Sequence, residues 1–324
     1  MTSETHGDRA FRAGSLLGSV PEMTYGGALS FLRRRFTRDL TGADVVVSGI
    51  PFDSSVTNRP GCRFGPRALR EASTQLAELK SFPWGFDPFA TLAVADWGDH
   101  FVDPHHPTEV PARIEAHAAE LLASGAKMLT FGGDHFVAYP LLRAHARKHG
   151  PVALVQFDAH CDTWPDDPGR LDHGTMFLRA VREGIVDAGH SVQVGLRTYN
   201  DSDFGFEILS SPWIHREGVA RTIEAVRARV GDKPVYVSFD IDVLDPAFAP
   251  GTGTPVPGGL ASWQALELMR GLRGLNLIGM DLVEVSPPYD HAEITALAGA
   301  HVAYEWLCLQ ALAKGATPRP VGRL

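Results

Sequence analysis

Val152-Ala153-Leu154-Val155-Gln156-Phe157-Asp158-Ala159-His160-Cys161-Asp162 joins an apolar run to a polar triplet. The run reads as a buried parallel strand, and the triplet sits where that strand ends. Side chains alternate along an extended chain, so Asp158, His160 and Asp162 are expected to point the same way, with Cys161 packed on the opposite side. Two carboxylates and an imidazole converging on one point suit a divalent cation. Two further elements share the pattern. Asp240-Ile241-Asp242 follows Val235-Tyr236-Val237-Ser238-Phe239, and Gly132-Gly133-Asp134-His135 follows Lys127 to Phe131.

Working outward, strands and helices alternate. Strands are expected at 43–50, 92–96, 127–131, 152–157, 191–196, 235–239 and 275–285. Helices are expected from Pro66 to about Lys80, over 108–124, from His135 through Lys148, to about Glu183, and over 218–229, 261–272 and 291–314. Pro66 suits a first helical turn, and Gly125 stops the second helix. Such alternation defines an α/β fold with a mainly parallel sheet. Residues 1–42 read as an irregular extension with a basic cluster at Arg33-Arg34-Arg35. No linker or repeat divides the chain, so 1–324 is expected to be a single domain.

The chain has 324 residues, 44% hydrophobic and 21% charged, as in ordinary globular proteins. A net charge of −8 argues against a general nucleic-acid surface. The three cysteines, Cys62, Cys161 and Cys308, lack the spacing of a disulfide framework or zinc ribbon. The expected setting is a reducing cytoplasm, with no signal peptide and no apolar run near the roughly 18 residues of a spanning helix.

In open parallel sheets, ligands bind beyond the carboxyl ends of the strands. His135, Asp158, His160, Asp162, Asp240 and Asp242 are placed there. Six oxygen and nitrogen donors exceed one catalytic zinc site and suit two ions with a bridging carboxylate. Four carboxylates favour a hard metal such as manganese. The bland alternative, loop carboxylates capping helices, explains one such triplet more easily than three. His173 is a candidate proton carrier. Glu284, ending the strand Leu277 to Val285, is a candidate guanidinium partner, with Asp281 as a structural carboxylate paired to an arginine. His105, His106, His145 and His149 share no register and read as surface or loop residues.

These residues resemble the ureohydrolase family, which includes the arginases and agmatinases. The match rests on Gly132 to His135, Asp158 to Asp162, Ser238 to Pro246, Ala249 to Pro255 and Glu284 to Asp290. It runs from about Leu40 to Leu312 and lies closest to the bacterial agmatinase branch. Cys161 departs from the threonine usual there. The resemblance implies a three-layer α/β/α fold with a mainly parallel eight-stranded sheet and two Mn²⁺ per subunit. His135, Asp158, Asp162 and Asp240 would hold one ion; Asp158, His160, Asp240 and Asp242 would hold the other. It also implies proton carriage by Asp162 and His173, guanidinium binding by Glu284, and a homo-oligomer, hexamer or trimer.

The implied reaction cleaves the guanidinium of agmatine to putrescine and urea. The loop Thr163 to Arg170 carries Asp166 and Asp167, an acidic rim that suits a small cationic guanidino substrate and repels a carboxylate. Arg170 keeps 4-guanidinobutyrate open, alongside arginine. A non-catalytic metal-binding homologue, a binuclear phosphoesterase and a single-zinc deacetylase are the competing classes. The phosphoesterase's Gly-Asn-His is absent, and the six donors exceed a deacetylase site. No membrane or nucleic-acid partner is expected.

Overall fold

A computed structural model describes residues 8–320, apart from 13, 20, 21, 166 and 168. Nine parallel strands form one sheet: β1 Arg35–Phe36, β2 Val45–Ile50, β3 Val94–Asp99, β4 Lys127–Gly132, β5 Ala153–Phe157, β6 Val192–Val194, β7 Glu207–Leu209, β8 Val235–Asp240 and β9 Leu277–Val283. Their spatial order is β1-β3-β2-β4-β9-β8-β5-β6-β7. The sheet thus has nine strands rather than eight. The two strands that sequence reasoning missed, β1 and β7, are short edge strands with too few residues for a period-two pattern. β1 lies inside the segment expected to be irregular. Arg33 and Arg34, just before it, are buried and donate to backbone carbonyls of Met23 and Gly18.

Eight α-helices are described: α1 Arg9–Arg12, α2 Gly65–Ala72, α3 Val110–Ala123, α4 Ala138–His149, α5 Met176–Arg182, α6 Ser211–Val230, α7 Ser262–Gly271 and α8 Ile294–Ala313. α2 stops at Ala72, short of Lys80, and a 3₁₀ turn follows over Ser73–Leu76. Ser73 Oγ donates to the Arg70 carbonyl at 2.7 Å and accepts from Leu32 N at 2.8 Å, a competing use of the backbone that favours the exit.

Side-chain alternation on the central strands builds two cores. Val45, Val47, Leu129 and Phe131 face α6, α7 and α8. Val46, Ile50 and Met128 face α3, α4 and α5. This is the three-layer α/β/α arrangement. Cys308 is fully buried in α8 within the first core. No helix among the described residues is long and apolar enough to cross a membrane.

The strand order explains the site. β4, β9, β8 and β5 are contiguous in the middle of the sheet. Sequence elements far apart along the chain therefore end side by side, all at the carboxyl edge, because every pairing is parallel.

Candidate metal centre

His135 follows β4 and is fully buried. Its Nδ1 lies 2.8 Å from Asp162 Oδ2, 3.1 Å from Asp158 Oδ2 and 3.2 Å from Asp240 Oδ2. His160 Nδ1 lies 3.4 Å from Asp158 Oδ1 and 3.0 Å from Asp242 Oδ2. The structure thus brings all six expected donors into two adjoining groups. Asp158 turns one oxygen toward each. Asp240 turns Oδ2 to the His135 group, while its Oδ1 accepts from Asp242 N at 2.8 Å.

Asp158, His160 and Asp162 do not converge through strand alternation, as the sequence led one to expect. β5 ends at Phe157, and Asp162 takes a left-handed backbone, φ 52°. Convergence comes instead from local bonds. Asp158 Oδ1 accepts from His160 N at 2.6 Å, and Gln156 Nε2 donates to Asp158 Oδ2 at 2.8 Å. Gln193 Nε2, opposite Gln156 on β6, donates to Gln156 Oε1 at 2.7 Å and so orients that side-chain amide. Cys161 stays outside the cluster, with its Sγ 3.3 Å from Asn200 Nδ2.

A tight approach explains the paired glycines before Asp134. A Cβ on Gly133 would stand 1.7 Å from the Phe52 carbonyl oxygen, so only glycine fits. Gly133 O in turn accepts from Glu284 N at 2.8 Å, tying β4's exit to β9's.

The electrostatics call for positive charge. Asp281 accepts from Ser238 Oγ at 2.7 Å and from Tyr236 OH at 2.8 Å, so hydroxyls rather than the expected arginine satisfy it. With its proton committed to Asp281, Ser238 Oγ accepts from His135 Nε2, 2.8 Å away. That leaves Nδ1 aimed at three carboxylates. It makes no hydrogen bond of good geometry among the described residues. Burial opposes a charged ring here, yet the carboxylates of Asp158, Asp162 and Asp240 push the His135 pKa well above its usual range. Burial and the Asp158 charge push Asp162 up to about 7, and burial with Asp242 and Asp158 raises Asp240. Crowded carboxylates around imidazole nitrogens are the signature of a cation site, and this donor set fits a hard divalent metal.

Glu284 sits just past β9 with φ 62°, a strained backbone held by its surroundings. Its Oε1 accepts from His135 N at 2.9 Å and from His173 Nδ1 at 2.8 Å. Its Oε2 is buried and makes no hydrogen bond of good geometry among the described residues, with the Cys62 thiol near the carboxylate. His173 Nε2 meets Thr57, with N at 3.1 Å and Oγ1 at 2.9 Å. Burial lowers the His173 pKa, but the hydrogen bond to Glu284 and the charges of Glu284, Asp134 and Asp162 carry it up to about 9. Divalent cations beside those carboxylates would oppose that rise.

A cleft of about 350 Å³ opens over the centre, lined by Thr57, His160, Asp162, Trp164, His173 and Asp240, among others. Asp166 lies outside the described residues. Asp167 is exposed and accepts from its neighbour Gly169 N, a local turn contact. Arg170 pairs with Asp172 at 2.9 Å, and Asp172 rather than Arg170 lines the cleft. Several residues escaped sequence reasoning: Thr57, Asp134, Gln156, Gln193 and Ser238. Asp134 is buried, accepts from Ser55 N and Oγ at 2.9 and 2.6 Å, and is pushed to about 7 by burial and the Glu284 charge. Its place beside His135 was the available signal. Cys62 is buried, and burial together with Glu284 raises its thiol.

The Arginase family matches residues 43–308, and the chain belongs to that family. It is 60% identical over 306 residues to the agmatinase of Chromobacterium violaceum, covering 94% of this chain and 95% of that one. The crystal structure of a hypothetical agmatinase from Burkholderia thailandensis superposes with a TM-score of 0.95 at 57% identity, covering 96% of this chain and 99% of that one. Proclavaminate amidino hydrolase from Streptomyces clavuligerus gives 0.87 at 39% identity, covering 90% and 99%.

Proposed function

We propose that this protein hydrolyses agmatine to putrescine and urea at a centre of two Mn²⁺. His135, Asp158, Asp162 and Asp240 would hold one ion, and Asp158, His160, Asp240 and Asp242 the other. The observation that carries this reading is Asp158, whose two oxygens face two separate imidazole groups, with Glu284 tied to the same cluster through His135 N. The 60% identity to an agmatinase supports the substrate.

When bound, a pair of such ions lowers the pKa of water to supply a nucleophile near neutral pH. The protein does the rest. Glu284 Oε2 accepts N–H groups of the guanidinium and sets its carbon over the cluster. Asp162, at the cleft floor, carries a proton to the departing amine, and His173 replenishes it. One water and one agmatine give one urea and one putrescine.

The cleft favours a tail without a carboxylate. Arg170, the group that would greet one, is already engaged by Asp172. We also take residues 1–324 as one ureohydrolase domain, supported by the single sheet, acting as a cytoplasmic homo-oligomer, hexamer or trimer. The family resemblance and three free cysteines support that setting.

The test is urea release after Mn²⁺ loading, with agmatine, arginine and 4-guanidinobutyrate side by side. Agmatine should dominate. Preference for either carboxylated compound overturns the substrate reading while keeping the chemistry.

A further inference from the structure

We propose that Thr57 is a positioning residue for His173, fixing its tautomer and linking its Nε2 to the cleft through the threonine hydroxyl. The proposal deepens the hydrolase reading, since it rests on proton carriage by His173.

The two ring nitrogens face partners of opposite kind. Nδ1 is 2.8 Å from Glu284 Oε1. A carboxylate oxygen flanked by His135 N accepts, so Nδ1 carries a proton. Nε2 faces the Thr57 backbone N–H at 3.1 Å, which only donates. In the neutral ring, Nε2 therefore presents its lone pair. Thr57 Oγ1, at 2.9 Å, is different in kind, because a hydroxyl both donates and accepts. It suits the neutral ring as a donor and the charged ring as an acceptor.

Access points to the same group. Both residues line the cleft, but His173 is only 8% exposed whereas Thr57 is exposed. Among the described residues, Nε2 has no hydrogen-bond partner other than Thr57. The hydroxyl is thus the hydrogen-bonded link from Nε2 to cleft water. Protons balance along it. Thr57 Oγ–H passes its proton to Nε2 as Oγ takes one from a cleft water, whose hydroxide is neutralised in bulk solvent. On return, Nε2–H goes back to Oγ as Oγ–H passes through cleft water to recharge Asp162, which has given its own proton to the departing amine. Thr57 ends unchanged.

The loop is built to hold this contact. Ser55 bonds Asp134 through both N and Oγ, Asn58 Nδ2 donates to Gly253 O at 3.1 Å, and Gly61 N donates to Asp53 Oδ2 at 2.8 Å. Thr57 is fastened on both sides by residues other than His173.

The test compares Thr57→Val, which keeps the backbone N–H and the shape, with Thr57→Ser, which keeps the hydroxyl. In the metal-loaded protein, Thr57→Val should lower kcat by about tenfold or more, with KM within about twofold. Added imidazole should restore the rate, and Thr57→Ser should stay within about twofold of the parent. A Thr57→Val protein with parental kcat overturns the proposal. So does equal loss in both variants without response to imidazole. The ratio is read on whichever guanidino compound releases urea, so failure of agmatine would overturn the substrate reading alone. Selective ¹⁵N-histidine spectra, assigned with His173→Asn, give a readout without turnover. Above the pH at which the ring is charged, the proton should sit on Nδ1; a proton on Nε2 overturns the proposal.

Discussion

His135 and His145 stand near opposite ends of one helical stretch and face opposite ends of the sheet, and both are fully buried. His135, at the carboxyl end, meets three carboxylates and is pushed toward its charged form. His145, near the amino end, packs edge-on to Tyr236, donates Nδ1–H to its own helix at Leu141 O (2.8 Å), and leaves Nε2 without a hydrogen-bond partner among the described residues. Burial pushes it down to about 4. The same side chain at the same depth thus serves charge at one end and packing at the other. The carboxyl end concentrates like charge and left-handed backbone at Asp162 and Glu284, which a folding sequence has no reason to keep unless a ligand uses them.

The sharpest way to break this contrast is Asp158→Asn. Losing the shared carboxylate should cut urea release by more than about 10³-fold and lower metal content below two per chain. The metal-free variant should also be less stable than the metal-free parent, because Asp158, although burial opposes its charge, is held below the usual carboxylate range by His135 and His160 and accepts from His160 N and Gln156 Nε2. An unchanged melting temperature would show that these contacts contribute nothing in the absence of metal. Glu284→Gln should bind metal normally yet lose about 10²- to 10³-fold in kcat/KM. Normal kinetics would remove Glu284 from guanidinium binding.

The other end is probed by stability. The folded-state pKa of His145, about 4, lies below its ordinary 6.5. Between these values the unfolded chain binds more protons, so stability is full above about 6.5 and falls as pH drops toward 4. His145→Leu should remove up to about 3 kcal/mol of that fall, measured by denaturant unfolding at several pH values. An unchanged slope would show that His145 is charged or exposed. Gly279→Ala should cost about 2 kcal/mol, because the new Cβ would stand 2.5 Å from His145 Nε2. Activity per folded molecule should be kept; a selective loss of kcat would couple the two ends.

The same contrast shows what was legible in the chain. The site motifs were visible because apolar runs mark buried strands and their polar ends stand out. Which strands are neighbours was not visible: β4, β9, β8 and β5 adjoin through long-range pairing that no local pattern encodes. The Asp158 to Asp162 stretch was read as extended, whereas a left-handed residue and two amide contacts aim its side chains. His145 looked like a surface residue because its burial depends on the bare Cα of Gly279, on a distant strand. Ser238 and Asp281 became interpretable only once β8 and β9 were paired, which places them opposite one another.

Metal titration tests the central claim most directly. Metal-free protein is loaded with Mn²⁺ in steps, and bound metal and urea release from agmatine are measured on the same samples. The two-ion centre predicts activity that rises to a maximum at two Mn²⁺ per chain. Full activity at one ion or none, or two bound ions without urea, would contradict it.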